Sequence, residues 1–403
     1  MFKTLHKRKF SVIMYSDFCK GEFTMKKIKV GIAGTRGLST LLGLQNIEDV
    51  EIAAMCDLDE QHLKDSVARI GDDSIKTYRV FDDMIESDID AVIIATPMQC
   101  HVPQAIAAME AGKHVMCEVT AGVTMDELFW LCETVEKYNK IYMYAENYIY
   151  DPRVQLVKNL VKAGMFGEPY YAEGMYLHNI GNLFVYPNGK TSWRSFWQCG
   201  KRGNFYPTHS VGPVMQWFEG DRITEISTFS PGVYNDIGLK QDSGTTTMCR
   251  TEKGKLLNIR VDCMSPRPHN MNNFQLQGTK GIVQFKSCAE DEDRISFIDG
   301  EESPIHHMKW KLLDEYNMYL PDRYKNANEE QKNSGHNGGD FFIVEDFINA
   351  IRENKQPDLD VYKACEWTAV GLLSELSVTN HSRTMTVPNF RPNMPLEEKR
   401  ITL

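Results

Sequence analysis

No stretch of the 403 residues approaches the roughly 20 uninterrupted apolar residues that a membrane span needs, which excludes a helical membrane protein. The ten cysteines lie far apart, with no Cys-x-x-Cys pair and no Cys/His spacing of the zinc type, so they read as reduced thiols of a cytoplasmic protein. A basic face is missing as well. The charge is 45 basic against 55 acidic residues, net −10, and a phosphate backbone would have nothing to bind, so nucleic acid is not an expected partner. There is no internal repeat and no low-complexity tract. At 42% apolar and 25% charged the composition is that of an ordinary globular chain, long enough for two domains.

Near the start, Lys3, His6, Lys7, Arg8 and Lys9 precede a short apolar stretch, Phe10 to Tyr15, that runs into Asp17. An export signal uses roughly 7 to 15 apolar residues. Residues 1–24 are therefore expected to be a loosely ordered extension, with an unusual export signal as the alternative.

Beyond it, Ile28 to Ala33 is a β-type run ending in Gly34, Thr35, Arg36 and Gly37. An apolar-periodic segment (Leu38, Leu41, Leu42, Leu44) predicts a helix, and Val50 to Cys56 predicts a second strand that ends at Asp57. Strands and helices keep alternating to about residue 150, which implies a parallel sheet with helices on both faces. After that the rhythm changes. A helix over Pro152 to Ala163 and irregular sequence lead to a strand at Ile223 to Phe229, then to two hairpins. The first turns at Glu252, Lys253 and Gly254; the second turns between Gly278 and Gly281. Late helices are expected over Asp340 to Glu353 and Val361 to Thr379. The fold class is α/β: residues 25–150 as a dinucleotide-binding domain with a parallel sheet, and 151–403 as an α+β domain with a large open, mainly antiparallel sheet. An exposed sheet face of that size seeks a partner, so a homo-oligomer is expected.

The glycine turn is an imperfect dinucleotide fingerprint. Counting back from Asp57 puts Ile32, Gly34 and Gly37 at its three glycine positions, whereas counting from the strand end makes Gly34 the first. Either way Gly34 and Gly37 let backbone amides approach a pyrophosphate, while Asp57 accepts from ribose hydroxyls and repels a 2′-phosphate. NAD is favoured over NADP. Arg36 either contacts phosphate or is solvated.

Lys27 to Asp57, Ala91 to His101 (with Thr96 and Pro97) and Ala111 to Glu118 together resemble the glucose-fructose oxidoreductase / inositol dehydrogenase / MocA (Gfo/Idh/MocA) family, from about residue 26 to about 390. The resemblance implies a Rossmann domain followed by a domain whose sheet holds a sugar against the nicotinamide, with Thr96, Pro97, His101, Glu118 and Asn147 at the cofactor. One departure stands out: the family's Glu-Lys-Pro is Glu118, Val119 and Thr120 here, and valine cannot handle the hydroxyl proton. Trp193 with Arg194, Gly203 to Pro213 (with Tyr206 and His209), Ser265 to His269, Gly335 to Asp340 and Asp360 to Tyr362 resemble a branch of that family, the NAD-dependent glycosidases of glycoside hydrolase family 109.

That branch implies a hydrolase in which C3 of a sugar is transiently oxidised, the acidified C2 proton is removed and the C1 substituent leaves. It implies Glu118 and Tyr150 at the nicotinamide and sugar, and Arg194, Tyr206 and His209 in the substrate pocket. His269 stands at its usual tyrosine position. Tyr206, His209 and His269 are the candidates for proton transfer, and Tyr150, Arg194, Tyr206, His209 and His269 for sugar binding. Each also has a plain structural alternative: His336 as a helix cap with Asp340, Tyr148 and Tyr150 as core aromatics. No metal site is expected, because Glu118, His209 and His336 lack a helical ligand pair. The alternatives to a glycosidase are a net sugar or polyol dehydrogenase with His209 in the lysine's role, and a non-catalytic NAD- or sugar-binding protein.

Overall fold

Short, mainly apolar strands surrounded by amphipathic helices build the first half of the chain. The computed structural model describes residues 27–186, 188–298 and 308–399, and the expected N-terminal extension lies outside them. Strands β1 (Ile28–Ala33), β2 (Val50–Cys56), β3 (Lys76–Tyr78), β4 (Ala91–Ile94), β5 (His114–Glu118) and β6 (Tyr142–Ala145) form a six-stranded sheet ordered β3-β2-β1-β4-β5-β6. Every pairing is parallel. Strands β4 and β6 are buried at every residue, as a sheet covered on both faces requires.

Helices α1 (Leu41–Gln45), α2 (Glu60–Ile70), α3 (Phe81–Ile85), α4 (His101–Glu110) and α5 (Met125–Tyr138) flank the strands. Local chemistry sets their ends. Asp59 caps α2 by accepting from the backbone of Gln61 and His62, and a Thr124/Glu127 capping box starts α5. The helix expected after Gly37 is reduced to a 3-10 helix, Thr35–Thr40, running into the five-residue α1.

Helix α6 (Pro152–Lys162) leads to strand β7 (Pro169–Leu177), then to α7 (Arg194–Trp197) and α8 (Thr208–Met215). There follow β8 (Ile223–Phe229), β9 (Thr245–Thr251), β10 (Leu256–Asp262), β11 (Asn270–Gly278), β12 (Gly281–Gln284), β13 (Arg294–Phe297) and β14 (Lys311–Leu312). The chain closes with α9 (Asp322–Lys325), α10 (Glu329–Lys332), α11 (Gly339–Glu353), α12 (Val361–Thr379) and β15 (Met385–Thr386). The nine strands make one sheet ordered β14-β13-β12-β11-β7-β10-β9-β8-β15, with β7–β10 its one parallel pairing among the described residues. Both expected hairpins are present, as β9–β10 and β11–β12.

The sequence reading passed over β7, the strand at the middle of this sheet, and the buried helix α8 laid across it. They meet at Gly174, where a Cβ would stand 2.3 Å from the Ser210 carbonyl oxygen, so only glycine permits this approach. Helix α12 packs on β8 and on α5, tying the second sheet to the first half of the chain. Among the described residues no helix is long and apolar enough to cross a membrane.

Candidate active site

The strand order of the first sheet reverses between β1 and β4, and a crevice for a ligand opens at the carboxyl ends of strands flanking such a switch. Gly34 follows β1 there with φ of +87°, and a Cβ on it would lie 2.6 Å from the Ala95 carbonyl oxygen at the end of β4. The Thr35 backbone N–H donates to Asp57 Oδ2 at 2.9 Å, and Asp59 N–H donates to Asp57 Oδ1 at 2.9 Å. The carboxylate thereby holds the glycine turn against β2. Gly37 closes the turn with an N–H to the Gly34 carbonyl. Arg36 lies in the same turn, but its side chain is outside what is described.

Thr96 and Pro97 leave β4. The Thr96 hydroxyl donates to Gln104 Oε1, and Pro97 precedes the 3-10 turn that opens α4. His101 is buried, with Nδ1 2.7 Å from the Thr120 carbonyl and Nε2 2.8 Å from that of Thr96. The ring thus lies between the loop after β4 and the loop after β5; burial holds its pKa below the usual histidine range, and the single N–H of the neutral ring donates to one of the two carbonyls. Glu118 ends β5, half-buried, and Val119 after it packs on the core. The peptide bond between Val119 and Thr120 is cis.

Glu146 and Asn147 follow β6, at the start of a 3-10 turn, Asn147–Tyr150. Glu146 is completely buried; its Oε1 accepts from His209 Nδ1 at 2.8 Å and from Tyr148 N–H at 3.2 Å, while Oε2 has no partner. A carboxylate only accepts, so Nδ1 is the donor of this pair, and in the neutral ring with that tautomer the lone pair is on Nε2. The ring lies in a box of three tyrosines, 4.4 Å from the centroid of Tyr148, 5.0 Å from Tyr176 and 5.0 Å from Tyr206. Burial lifts the hydroxyl pKa values of Tyr148 and Tyr176 well above the ordinary tyrosine range.

Tyr176 comes from β7, and its hydroxyl is 2.7 Å from Nδ1 of His178, two residues on. His178 meets His269 edge to face at 4.4 Å between centroids. On the other side Tyr148 meets His336 at 5.9 Å, and His336 Nδ1 donates to the buried Asp340 at 2.9 Å. The guanidinium of Arg194 is buried over Trp193, bonded to Gln198, close enough to Tyr176 and Cys263 to act on their charge states.

Of the sequence candidates, Tyr206 and His209 therefore stand in one cluster, Arg194 beside it, and His269 one ring further out. Tyr150 stands apart. It is buried with its hydroxyl donating to Asp346 at 2.8 Å and Arg323 above its ring, so its hydroxyl is committed to α11 rather than to the His209 box. Glu146, Tyr176 and His178 were not singled out from sequence. The signal for the last pair is their spacing of two, which puts both on one face of a strand. Among the described residues no three His, Cys, Asp or Glu side chains converge as a metal site.

The glycine end of the crevice suits NAD. Its turn carries no side chain at the point of closest approach, and Asp57 offers carboxylate oxygens where ribose hydroxyls would lie. Asn147 adds a buried amide oxygen without a partner, its nitrogen being 3.4 Å from Asp340.

Comparison with known proteins agrees with this division of labour. A family model described as oxidoreductase family, NAD-binding Rossmann fold, matches residues 28–146. One described as glycosyl hydrolase 109, C-terminal domain, matches 150–233 and 231–394. A glycosyl hydrolase family 109 protein of Shewanella putrefaciens is 33% identical over 405 residues, spanning 91% of this chain and 85% of its own length. An alpha-N-acetylgalactosaminidase of Shewanella oneidensis is 31% identical with the same coverage. Among solved structures, levoglucosan dehydrogenase in complex with NADH and L-sorbose superposes with a TM-score of 0.72, covering 90% of this chain and 100% of that one. At 19% identity that likeness speaks for the fold.

Proposed function

The chain belongs to glycosyl hydrolase family 109, on the NAD-binding fold of the Gfo/Idh/MocA oxidoreductases, and from that premise we propose that it hydrolyses an α-linked N-acetylgalactosaminide by transient oxidation at C3. The observation that carries this reading is His209. It presents a bare Nε2 inside a tyrosine box while Glu146 holds its other nitrogen, in a chain whose lysine position is Val119.

NAD bound at the Gly34 turn would supply a hydride acceptor that later returns the hydride, leaving no net redox change. The protein's own part is proton handling. His209 Nε2 takes the proton of the C3 hydroxyl, and the Glu146 charge stabilises the imidazolium that forms. With C3 a ketone, the C2 proton is acidic; the oxygen of Tyr176, which faces His209, receives it in exchange for its own hydroxyl proton, the C1 substituent departs with the electron pair of the C1–O bond, and water then adds at C1 as a proton returns to C2. Tyr206 hydrogen-bonds the sugar oxygens, and Arg194, buried behind Tyr176, supports the charge of the enolate. A two-carboxylate hydrolysis fits poorly, because Glu146 is sealed from solvent by the ring it holds.

The test is purified protein with an aryl α-N-acetylgalactosaminide in deuterated water. Free sugar carrying deuterium at C2 is the expected result. A 3-keto product accumulating with stoichiometric NADH would make the protein a net dehydrogenase. We further expect a second copy on the open face of the nine-stranded sheet, which light scattering of the purified protein checks.

A further inference from the structure

Deep in the box, the Tyr176 hydroxyl has one hydrogen-bond neighbour of particular use, His178 Nδ1 at 2.7 Å. The His178 ring is half-buried and abuts His269, whose side chain is exposed. The three residues lie in sequence from the buried wall of the site to solvent, each in contact with the next, and His178 and His269 have no role in the steps described above.

We propose that His178 and His269 form a proton relay that links the Tyr176 hydroxyl to bulk water. The inference rests on the C2 proton transfer of the proposed reaction. A tyrosine buried this deeply does not exist as a free phenolate at neutral pH, so it can accept a proton from carbon only by releasing its own in the same event. The balance is simple. The C2–H bond breaks and its electron pair becomes the C1=C2 π bond; the proton bonds to the Tyr176 oxygen. The original hydroxyl proton passes to His178 Nδ1, and His178 gives up its Nε2 proton to the His269 ring that it abuts, which releases a proton to bulk water. Imidazole suits this task because one nitrogen accepts while the other donates. When C2 is reprotonated the same steps run backwards, which is how solvent deuterium would reach the carbon.

The experiment compares the protein as purified with NAD, its His178→Phe variant, which keeps the ring packing, and His269→Ala, whose exposed site leaves folding intact. In both, kcat and C2 exchange should fall by about tenfold or more, short of the ~10²–10⁴ of a residue that touches the reacting atom, with KM nearly unchanged. Added imidazole should restore much of the loss in His269→Ala. Independently of turnover, the ¹⁵N signal of His178 Nδ1 should shift when Tyr176 is changed to Phe. Variants at wild-type kcat, absence of imidazole rescue, or an unmoved Nδ1 signal would each overturn the relay. Wild-type protein that neither hydrolyses nor exchanges C2 would remove the hydrolase reading and the relay together, an outcome distinct from a failure confined to the variants.

Discussion

Replacing Glu146 by Gln keeps the shape of a side chain that has no solvent contact but deletes its charge. Two donors, His209 Nδ1–H and Tyr148 N–H, share Oε1, and Oε2 has no partner. The Gln carbonyl oxygen should therefore stay at the Oε1 position, retaining the His209 tautomer, and the amide nitrogen should occupy the Oε2 position. What changes is the strength of the hydrogen bond as His209 becomes charged. The bond stays charge-assisted from the imidazolium side but loses its ionised acceptor; since a charge-assisted bond is roughly twice as strong as a neutral one, losing one of the two charges removes about 1.5 kcal/mol of support from the imidazolium. At ~1.4 kcal/mol per decade that is roughly a tenfold fall in kcat. Glu146→Ala removes the acceptor as well, frees the proton to move to Nε2, and should cost roughly a hundredfold or more. Steady-state hydrolysis of an aryl glycoside, with NAD retention as the check on integrity, measures both. A Glu146→Gln enzyme at wild-type kcat, or a Glu146→Ala enzyme more active than Glu146→Gln, would refute the assignment of His209 as the charged base.

Gly34→Ala forces a Cβ to within 2.6 Å of the Ala95 carbonyl at φ of +87°, so NAD should no longer co-purify; nucleotide quantified from the denatured protein decides it. Gly174→Ala should separate β7 from α8 and lower Tm, since the added Cβ meets backbone 2.3 Å away; an unchanged melting curve would contradict that packing. Glu366 on α12 is fully buried, which pushes its carboxyl from 4.5 up to about 7 despite the Ile223 N–H it accepts and Arg391 at 3.9 Å. Between those values the folded chain holds a proton that the unfolded chain releases, so stability falls as pH rises through this window and stays low above it. Glu366→Gln should flatten that dependence and gain up to about 3 kcal/mol near pH 8, read by urea unfolding at several pH values. Parallel profiles for the two proteins would exclude this role.

The first sheet was legible because its strands are mainly apolar runs and its first turn carries glycine, as β4 and Gly34 show. Strand β7 was not. Its buried face is Ala172, Gly174 and Tyr176, and two of those three are too small to raise an alternating apolar signal. Helix α8 hid for a related reason: all eight residues are buried, with Gly212 and Pro213 among them, so it has neither a polar face nor helix-forming composition. With β7 and α8 unread, Tyr176 and His178 had no strand to share and His209 had no partner. The His209–Glu146 pair spans 63 positions, and no local spacing announces it. Tyr150, conversely, was drawn into the site by resemblance, and its hydroxyl turns out to serve Asp346 and α11.

Valine at position 119 accounts for why so much of the proposed chemistry lies outside the first sheet. A lysine at the end of β5 would carry its proton site on the same rigid layer as the nucleotide turn. In the mechanism proposed above, with that site apolar, the base comes from α8, which rests on the second sheet, while the charge that makes it a base comes from Glu146, just past β6 in the first. On this reading the catalytic pair is complete only when the two sheets are docked. Docking is itself held by α12 against α5 and by α11 against the glycine turn. A shift of 1 Å between the layers would break a 2.8 Å hydrogen bond without touching either NAD or sugar contacts. Substitutions at the α5–α12 contact should therefore lower kcat while sparing NAD affinity, a separation that an enzyme with its base on β5 would not show.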